Sequence, residues 1–187
     1  ASMCAISGID MALLDLKGKT LGVPMYDLLG GSYRTKIQLY ANYWFTGGGH
    51  NGGDYAKQAK EVKAAGFKGL KFDPFAHTNY FYGEDLDTNL SLTKSQQDTA
   101  FEVSKSVREA VGADMDIMIE THAMLNFKVA VTMAKRLSEL DITWYEEPAG
   151  PENSDTLRAL RERIDPSVSI CVGERHYTRH GIRPILE

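Results

Sequence analysis

The chain has 187 residues, 43% of them hydrophobic, with 21 Lys+Arg against 25 Asp+Glu for a net charge of -4, the profile of an ordinary globular chain. It has no apolar run near the roughly 20 residues that cross a bilayer, its first ten residues do not read as a basic-then-apolar leader, and it has no Lys/Arg stripe to neutralise phosphates, so neither a membrane nor a secretory role is expected and the balance argues against a nucleic-acid surface. Two cysteines, Cys4 and Cys171, lack CxxC spacing and cannot build a disulfide framework, which points to a reducing, cytoplasmic compartment.

Residues 3 to 17 carry Ile6, Ile9, Leu13 and Leu16 at helical spacing, predicting a helix with one apolar face. Gly18 and Gly22 end it, Pro24 starts a short helical turn, and Gly30-Gly31 stops that turn. From Lys36 onward, short β-rich runs alternate with amphipathic stretches. Strands are expected at Ile37 to Tyr43, Gly69 to Phe72, Asp116 to Glu120, Thr143 to Glu146 and Ser169 to Val172. Helices are expected over about Asp54 to Ala65, Ser95 to Val111, Asn126 to Leu140 and Asp155 to Ile164. Such alternation implies an α/β fold with a parallel sheet and right-handed crossovers.

The polar residues decide between an open doubly wound sheet and a barrel. Lys71 and Asp73, Glu120 and His122, Glu146, and Glu174 each fall at the C-terminal end of a different expected strand, and no GxGxxG or Walker-type loop follows any of them. Barrels gather functional residues from many strand ends at one face. Five strands cannot close the usual eight-stranded barrel of about 250 residues, so the chain is expected to be a segment of a longer protein.

Glu120, Glu146 and Glu174 are spaced by 26 and 28 residues, about one βα unit each. Three carboxylates converging from neighbouring strand ends repel one another unless a cation lies between them, and hard oxygen ligands suit Mg²⁺ or Mn²⁺ rather than Zn²⁺. A single strand-end acid is more often a helix cap or a rim charge; three in register favour a metal site. Side-chain parity puts Glu120 with His122 and Lys71 with Asp73, and turns Glu146 and Glu147 to opposite faces.

These stretches resemble the enolase superfamily, in its mandelate racemase and acid-sugar (galactonate-type) dehydratase branch. The resemblance rests on Gly8-Ile9-Asp10-Met11-Ala12-Leu13-Leu14-Asp15 and Gly22-Val23-Pro24-Met25-Tyr26-Asp27-Leu28-Leu29-Gly30-Gly31 near the N-terminus. It continues with Leu70-Lys71-Phe72-Asp73-Pro74, Ile119-Glu120-Thr121-His122, Trp144-Tyr145-Glu146-Glu147-Pro148 and Gly173-Glu174-Arg175-His176-Tyr177-Thr178-Arg179. It implies the last helices of an α+β capping domain over residues 1–33, then strands 1 to 5 of a modified (β/α)7β TIM-like barrel over residues 34–187, with strands 6 to 8 missing. The family's metal ligands would fall on Glu120, Glu146 and Glu174. Its Lys-x-Lys appears as Lys71-Phe72-Asp73, so the second lysine, a base in the family's racemases, is absent. His122 resembles the strand-three histidine that acts as acid or acid/base in the dehydratases.

The chemistry so implied is Mg²⁺-dependent dehydration of an aldonate or aldarate through an enediolate to a 2-keto-3-deoxy acid, with His122, Lys71 and Asp73 as catalytic candidates. A proton-abstracting His-Asp pair would lie on the missing strands, and a homo-oligomer is expected at full length. Racemisation or epimerisation at the same metal site, and a non-catalytic barrel relative, are the alternatives. Arg175, His176 and Tyr177 follow the third ligand and either reach the substrate or cap the next helix. His50 lies in a glycine-rich loop, read as a flexible turn ahead of a rim over the site. His77, Tyr80, Phe81 and Tyr82 lie in an aromatic insertion suited to specificity or packing. Both cysteines read as small buried hydrophobes.

Overall fold

In the computed structural model, which describes residues 2–45, 52–75, 91–150 and 153–187, helix and strand alternate from Gly52 onward. Two compact units are distinguished, Ala1–Gln38 and Leu39–Glu187. His50, His77, Tyr80, Phe81 and Tyr82 lie outside the described residues.

The first unit contains α1 (Ser2–Leu21) and α2 (Met25–Leu28). Gly22 takes φ 69° and Val23 N donates to Gly18 O at 3.0 Å, which closes the turn between them. Gly18 is required there, because a Cβ would meet Val23 O at 2.8 Å. Ile6, Ile9, Leu13 and Leu16, the expected apolar face of α1, are each more than half exposed.

The second unit contains α3 (Gly52–Ala64), β1 (Gly69–Phe72), α4 (Lys94–Val111), β2 (Asp116–Glu120) and α5 (Phe127–Leu137), which a 3-10 turn extends to Leu140. It continues with β3 (Trp144–Glu146), α6 (Ser154–Arg161), β4 (Ile170–Cys171) and α7 (Thr178–Leu186). The four strands form one parallel sheet in the order β1-β2-β3-β4, a partial, unclosed barrel wall. The expected strand over Ile37 to Tyr43 is not formed as a strand. Only Ala41 pairs, in a parallel bridge to Leu70, with Ala41 N donating to Gly69 O and Lys71 N to Ala41 O. Ile37 and Leu39 stand largely exposed, and Tyr43 swings to φ 56°, which ends the extended run. The two-residue β4 is likewise shorter than the Ser169 to Val172 run expected.

The helices cover one face of this sheet by the 3.6-residue period. α4 buries Ala100, Val103, Val107 and Val111, and α5 buries Val129, Ala130, Met133, Ala134 and Leu137. They meet Leu70, Phe72, Ile117, Ile119 and Tyr145, the alternate strand positions turned the same way. Each fully buried large side chain contributes about 1.5–3 kcal/mol. Local chemistry sets the helix ends. Thr93 and Gln96 form a reciprocal capping box on α4, Gly112 ends it at φ 77°, and Asn126 caps α5. Arg108 on α4 donates to the carbonyls of Gly112, Met115, Leu140 and Asp141 at 2.7–2.9 Å, tying the segments that lead into β2 and β3.

Candidate active site

The strand positions that point away from the helices build the site. Glu120 and Glu146 are direct register partners across β2 and β3, and Glu146 pairs in turn with Cys171 on β4. Lys71 is opposite Met118, one pleat back. Glu174 follows Gly173 beyond β4, and carboxylate oxygens of Glu120, Glu146 and Glu174 all lie within 4.8 Å of one another. Glu120 and Glu146 are buried and Glu174 is exposed. The strand-end register read from spacing therefore brings these three together.

Lys71 neutralises part of this charge. Its Nζ lies 3.0 Å from Glu120 Oε2 and 2.7 Å from Glu146 Oε1, with all three side chains nearly buried. Burial alone would favour the neutral amine, but hydrogen bonds to Glu146 and Glu120 and their charges hold Lys71 firmly protonated. The remaining oxygens are also satisfied. Glu120 Oε1 accepts from the Thr121 and His122 amides, and Glu146 Oε2 accepts from Trp144 Nε1 at 2.9 Å. Burial, aided by the neighbouring Glu120, raises the Glu146 carboxyl above its ordinary range despite Lys71 and Trp144.

Asp73 and His122 form the second element. His122 Nδ1 lies 2.9 Å from Asp73 Oδ2, and Asp73 Oδ1 accepts from the Phe75 amide at 2.7 Å. Asp73 is 2% exposed, while the His122 side chain keeps 29%. Burial pulls the imidazole down, but the Asp73 hydrogen bond and charge, with Glu120 and Glu174, raise it overall. With Asp73 as acceptor, Nδ1 donates and Nε2 becomes the nitrogen suited to exchange a proton with a ligand. Strand parity relates Glu120 to His122 only through a bend, because β2 ends at Glu120 and His122 takes φ 49°.

Arg175 points back into the wall. Its Nε lies 2.8 Å from Glu147 Oε2 and its guanidinium donates to His122 O at 2.8 Å. Glu147, fully buried and turned opposite to Glu146, takes φ 44°. His176 N donates to Gly173 O at 3.0 Å and its Cβ sits beside Gly181 of α7, whose N-cap is Tyr177.

The enolase C-terminal domain-like family model matches residues 54–187, and the mandelate racemase / muconate lactonizing enzyme N-terminal domain model matches residues 1–30. The chain belongs to the enolase superfamily. It is 41% identical over 174 residues to the D-gluconate dehydratase of Thermoproteus tenax, covering 93% of this chain and 32% of that one. Over 98% of this chain and 43% of the other, it is 32% identical to the D-xylonate dehydratase of Haloferax volcanii. A solved structure of an enolase superfamily member from Salmonella Typhimurium superposes with a TM-score of 0.82 at 34% identity, over 96% of this chain and 47% of that one. The chain thus spans about a third to a half of the length of these relatives.

The charge balance of this enolase superfamily site fits a divalent cation. Three carboxylates face the Lys71 ammonium and, 4.0 Å from Glu174, the Arg175 guanidinium that also pairs with Glu147, which still leaves a formal excess of negative charge, and every donor is a hard oxygen. Sequence reasoning missed Trp144 as a Glu146 donor, Cys171 on the same pleat as Glu146, and the engagement of Lys71 with two carboxylates. Period-2 alternation through Trp144, Glu146 and the paired register could have placed the first. Nothing local marks the others, which depend on contacts 75 residues apart for Lys71 and Glu146.

Proposed function

We propose that this chain carries half of the active site of a Mg²⁺-dependent dehydratase of acid sugars, taking an aldonate or aldarate to a 2-keto-3-deoxy acid. The observation that carries the reading is the Asp73–His122 pair at 2.9 Å beside the carboxylate cluster. The position that would hold a second lysine base holds instead the acceptor that orients an acid. The dehydratase names of the D-gluconate and D-xylonate relatives support the same reading.

Glu120, Glu146 and Glu174 would hold the cation, with Mn²⁺ the nearest substitute. When bound, Mg²⁺ supplies Lewis-acid polarisation of the substrate carboxylate, which acidifies the α-hydrogen. Lys71 adds a fixed positive charge beside the same carboxylate. His122 donates a proton from Nε2 to the departing β-hydroxyl, which leaves as water. Asp73 holds Nδ1–H and stabilises the protonated ring, and the resulting enol tautomerises to the ketone. The α-hydrogen passes as a proton to a base that the family resemblance puts on the later strands, and one proton returns to His122, so the substrate loses one hydrogen and one hydroxyl, together one water.

The test is a panel of aldonic and aldaric acids assayed with the full-length chain for 2-keto-3-deoxy products. His122→Asn should lower turnover on the best substrate by about 10²- to 10⁴-fold, the loss expected for a general acid, with Mg²⁺ affinity retained. Exchange of the α-hydrogen without water loss across the panel would overturn dehydration in favour of racemisation.

A further inference from the structure

Residues 121–123 are held from one side by two residues that the proposed chemistry does not use. Glu147 O accepts from Ala123 N at 3.0 Å and from Thr121 Oγ1 at 2.5 Å. The Glu147 side chain reaches Arg175 Nε, and Arg175 donates onward to His122 O. Every residue of the Thr121-His122-Ala123 bend is therefore bonded to Glu147 or to its partner. His122, Ala123 and Glu147 have φ of 49°, 59° and 44°, in the left-handed region that non-glycine residues occupy only at a cost of order 1–3 kcal/mol each. A bend so strained persists only where its surroundings enforce it.

The cost of the clasp itself is visible. Glu147 is 0% exposed, its Oε1 has no hydrogen-bond partner among the described residues, and burial raises its carboxyl above the ordinary range although Arg175 opposes this. An ion pair whose cation is 40% exposed is weak support for stability, since solvent screens it. The geometry points to a positional use.

We infer that Arg175 is a positioning residue for His122: through Glu147 it clasps residues 121–123 and fixes the imidazole against Asp73, and it does not contact the substrate. The inference rests on the dehydratase reading for its kinetic consequence but not for its structural one. A loosened bend lets the ring leave the Asp73 geometry, and a displacement of about 1 Å costs on the order of 10²-fold in rate.

The experiment uses the full-length chain as wild type, Arg175→Ala, Arg175→Lys and the double variant Arg175→Ala/Glu147→Gln, which removes the stranded charge should the single variant fail to fold. Turnover of the best acid sugar should fall about 10- to 100-fold in Arg175→Ala with KM nearly unchanged. Millimolar guanidinium and Arg175→Lys should each restore part of the loss. Nitrogen-15 correlation spectra of the His122 imidazole should show one Nδ1-protonated tautomer in wild type and a mixture in Arg175→Ala. A raised KM with kcat held would make Arg175 a substrate ligand and overturn the inference. So would an unaltered His122 spectrum with full turnover. Absence of any acid-sugar dehydration by wild type would sink the functional reading alone, and the imidazole spectra would still decide the clasp.

Discussion

The ammonium of Lys71 lies 2.7 Å from Glu146 Oε1, within the carboxylate cluster that would hold a cation. One positive charge thus occupies the ground on which another is to bind. Replacing it with a neutral chain of similar length, Lys71→Met, should tighten Mg²⁺ or Mn²⁺ binding by at least about tenfold. Repulsion between cations near 4 Å is a few kcal/mol at protein-surface screening. The metal-free variant should melt at a lower temperature, because Glu120 and Glu146 lose their counter-charge. Isothermal titration and thermal denaturation with and without metal separate the two effects; weaker metal binding by the variant would contradict the competition.

Asp73→Asn should lower the His122 pKa. The wild-type value is raised because the Asp73 bond and charge outweigh burial. A raised imidazole contributes stability that is fully present below its unfolded pKa of about 6.5 and is lost as pH rises through the folded value. The stability gap between wild type and Asp73→Asn should therefore narrow as pH rises past neutrality. NMR titration of His122 together with denaturant melts from acid to mildly alkaline pH checks both halves, and an unshifted imidazole in the variant would refute the coupling.

Against the expectation that both cysteines are buried, Cys4 is exposed and Cys171 is only half-buried, yet burial, and then the nearby Glu146 carboxylate, push the Cys171 thiol up to about 11. At pH 8, iodoacetamide should label Cys4 well ahead of Cys171, since only the thiolate reacts. Peptide mapping by mass spectrometry gives the order. Equal labelling rates would show that the site side of β4 is open to solvent and reagent.

Arg108→Ala should destabilise the fold by about 2–3 kcal/mol, the scale for losing hydrogen bonds from a charged donor. Its guanidinium holds four carbonyls at the starts of β2 and β3. Chemical denaturation reads the loss, and a change below about 0.5 kcal/mol, the usual bound for a surface substitution, would mean that those carbonyls find water instead.

The placement of Lys71, Glu120, Glu146 and Glu174 was legible because strand spacing and period-2 parity are local properties that survive folding. The β2 boundaries and the Glu120–Glu146 register follow from the same rule, while β3 starts at Trp144, one residue after the expected Thr143. The run Ile37 to Tyr43 does not form the expected strand, since alternation states only that a run can be a strand, while pairing needs a neighbour, and of these residues only Ala41 has one. The Arg175–Glu147 pair was illegible for another reason. Parity turns Glu147 away from Glu146, but which cation meets it across 28 residues is fixed by how the segment beyond β4 turns at Gly173, and no spacing rule encodes that. The left-handed bend at His122 and Ala123 has neither glycine nor asparagine to announce it, so strand parity alone gave the right face for the wrong geometry.

That bend also bears on how the protein would respond to selection for heat resistance. A glycine at position 123 would occupy φ 59° without steric penalty, making it one of the easier routes to a higher melting temperature. The same exchange would let the neighbouring histidine wander. Thermostable descendants of this sequence should therefore accumulate their changes in the helical layer and leave Ala123 alone, because rigidity here is kept for aim and not for endurance.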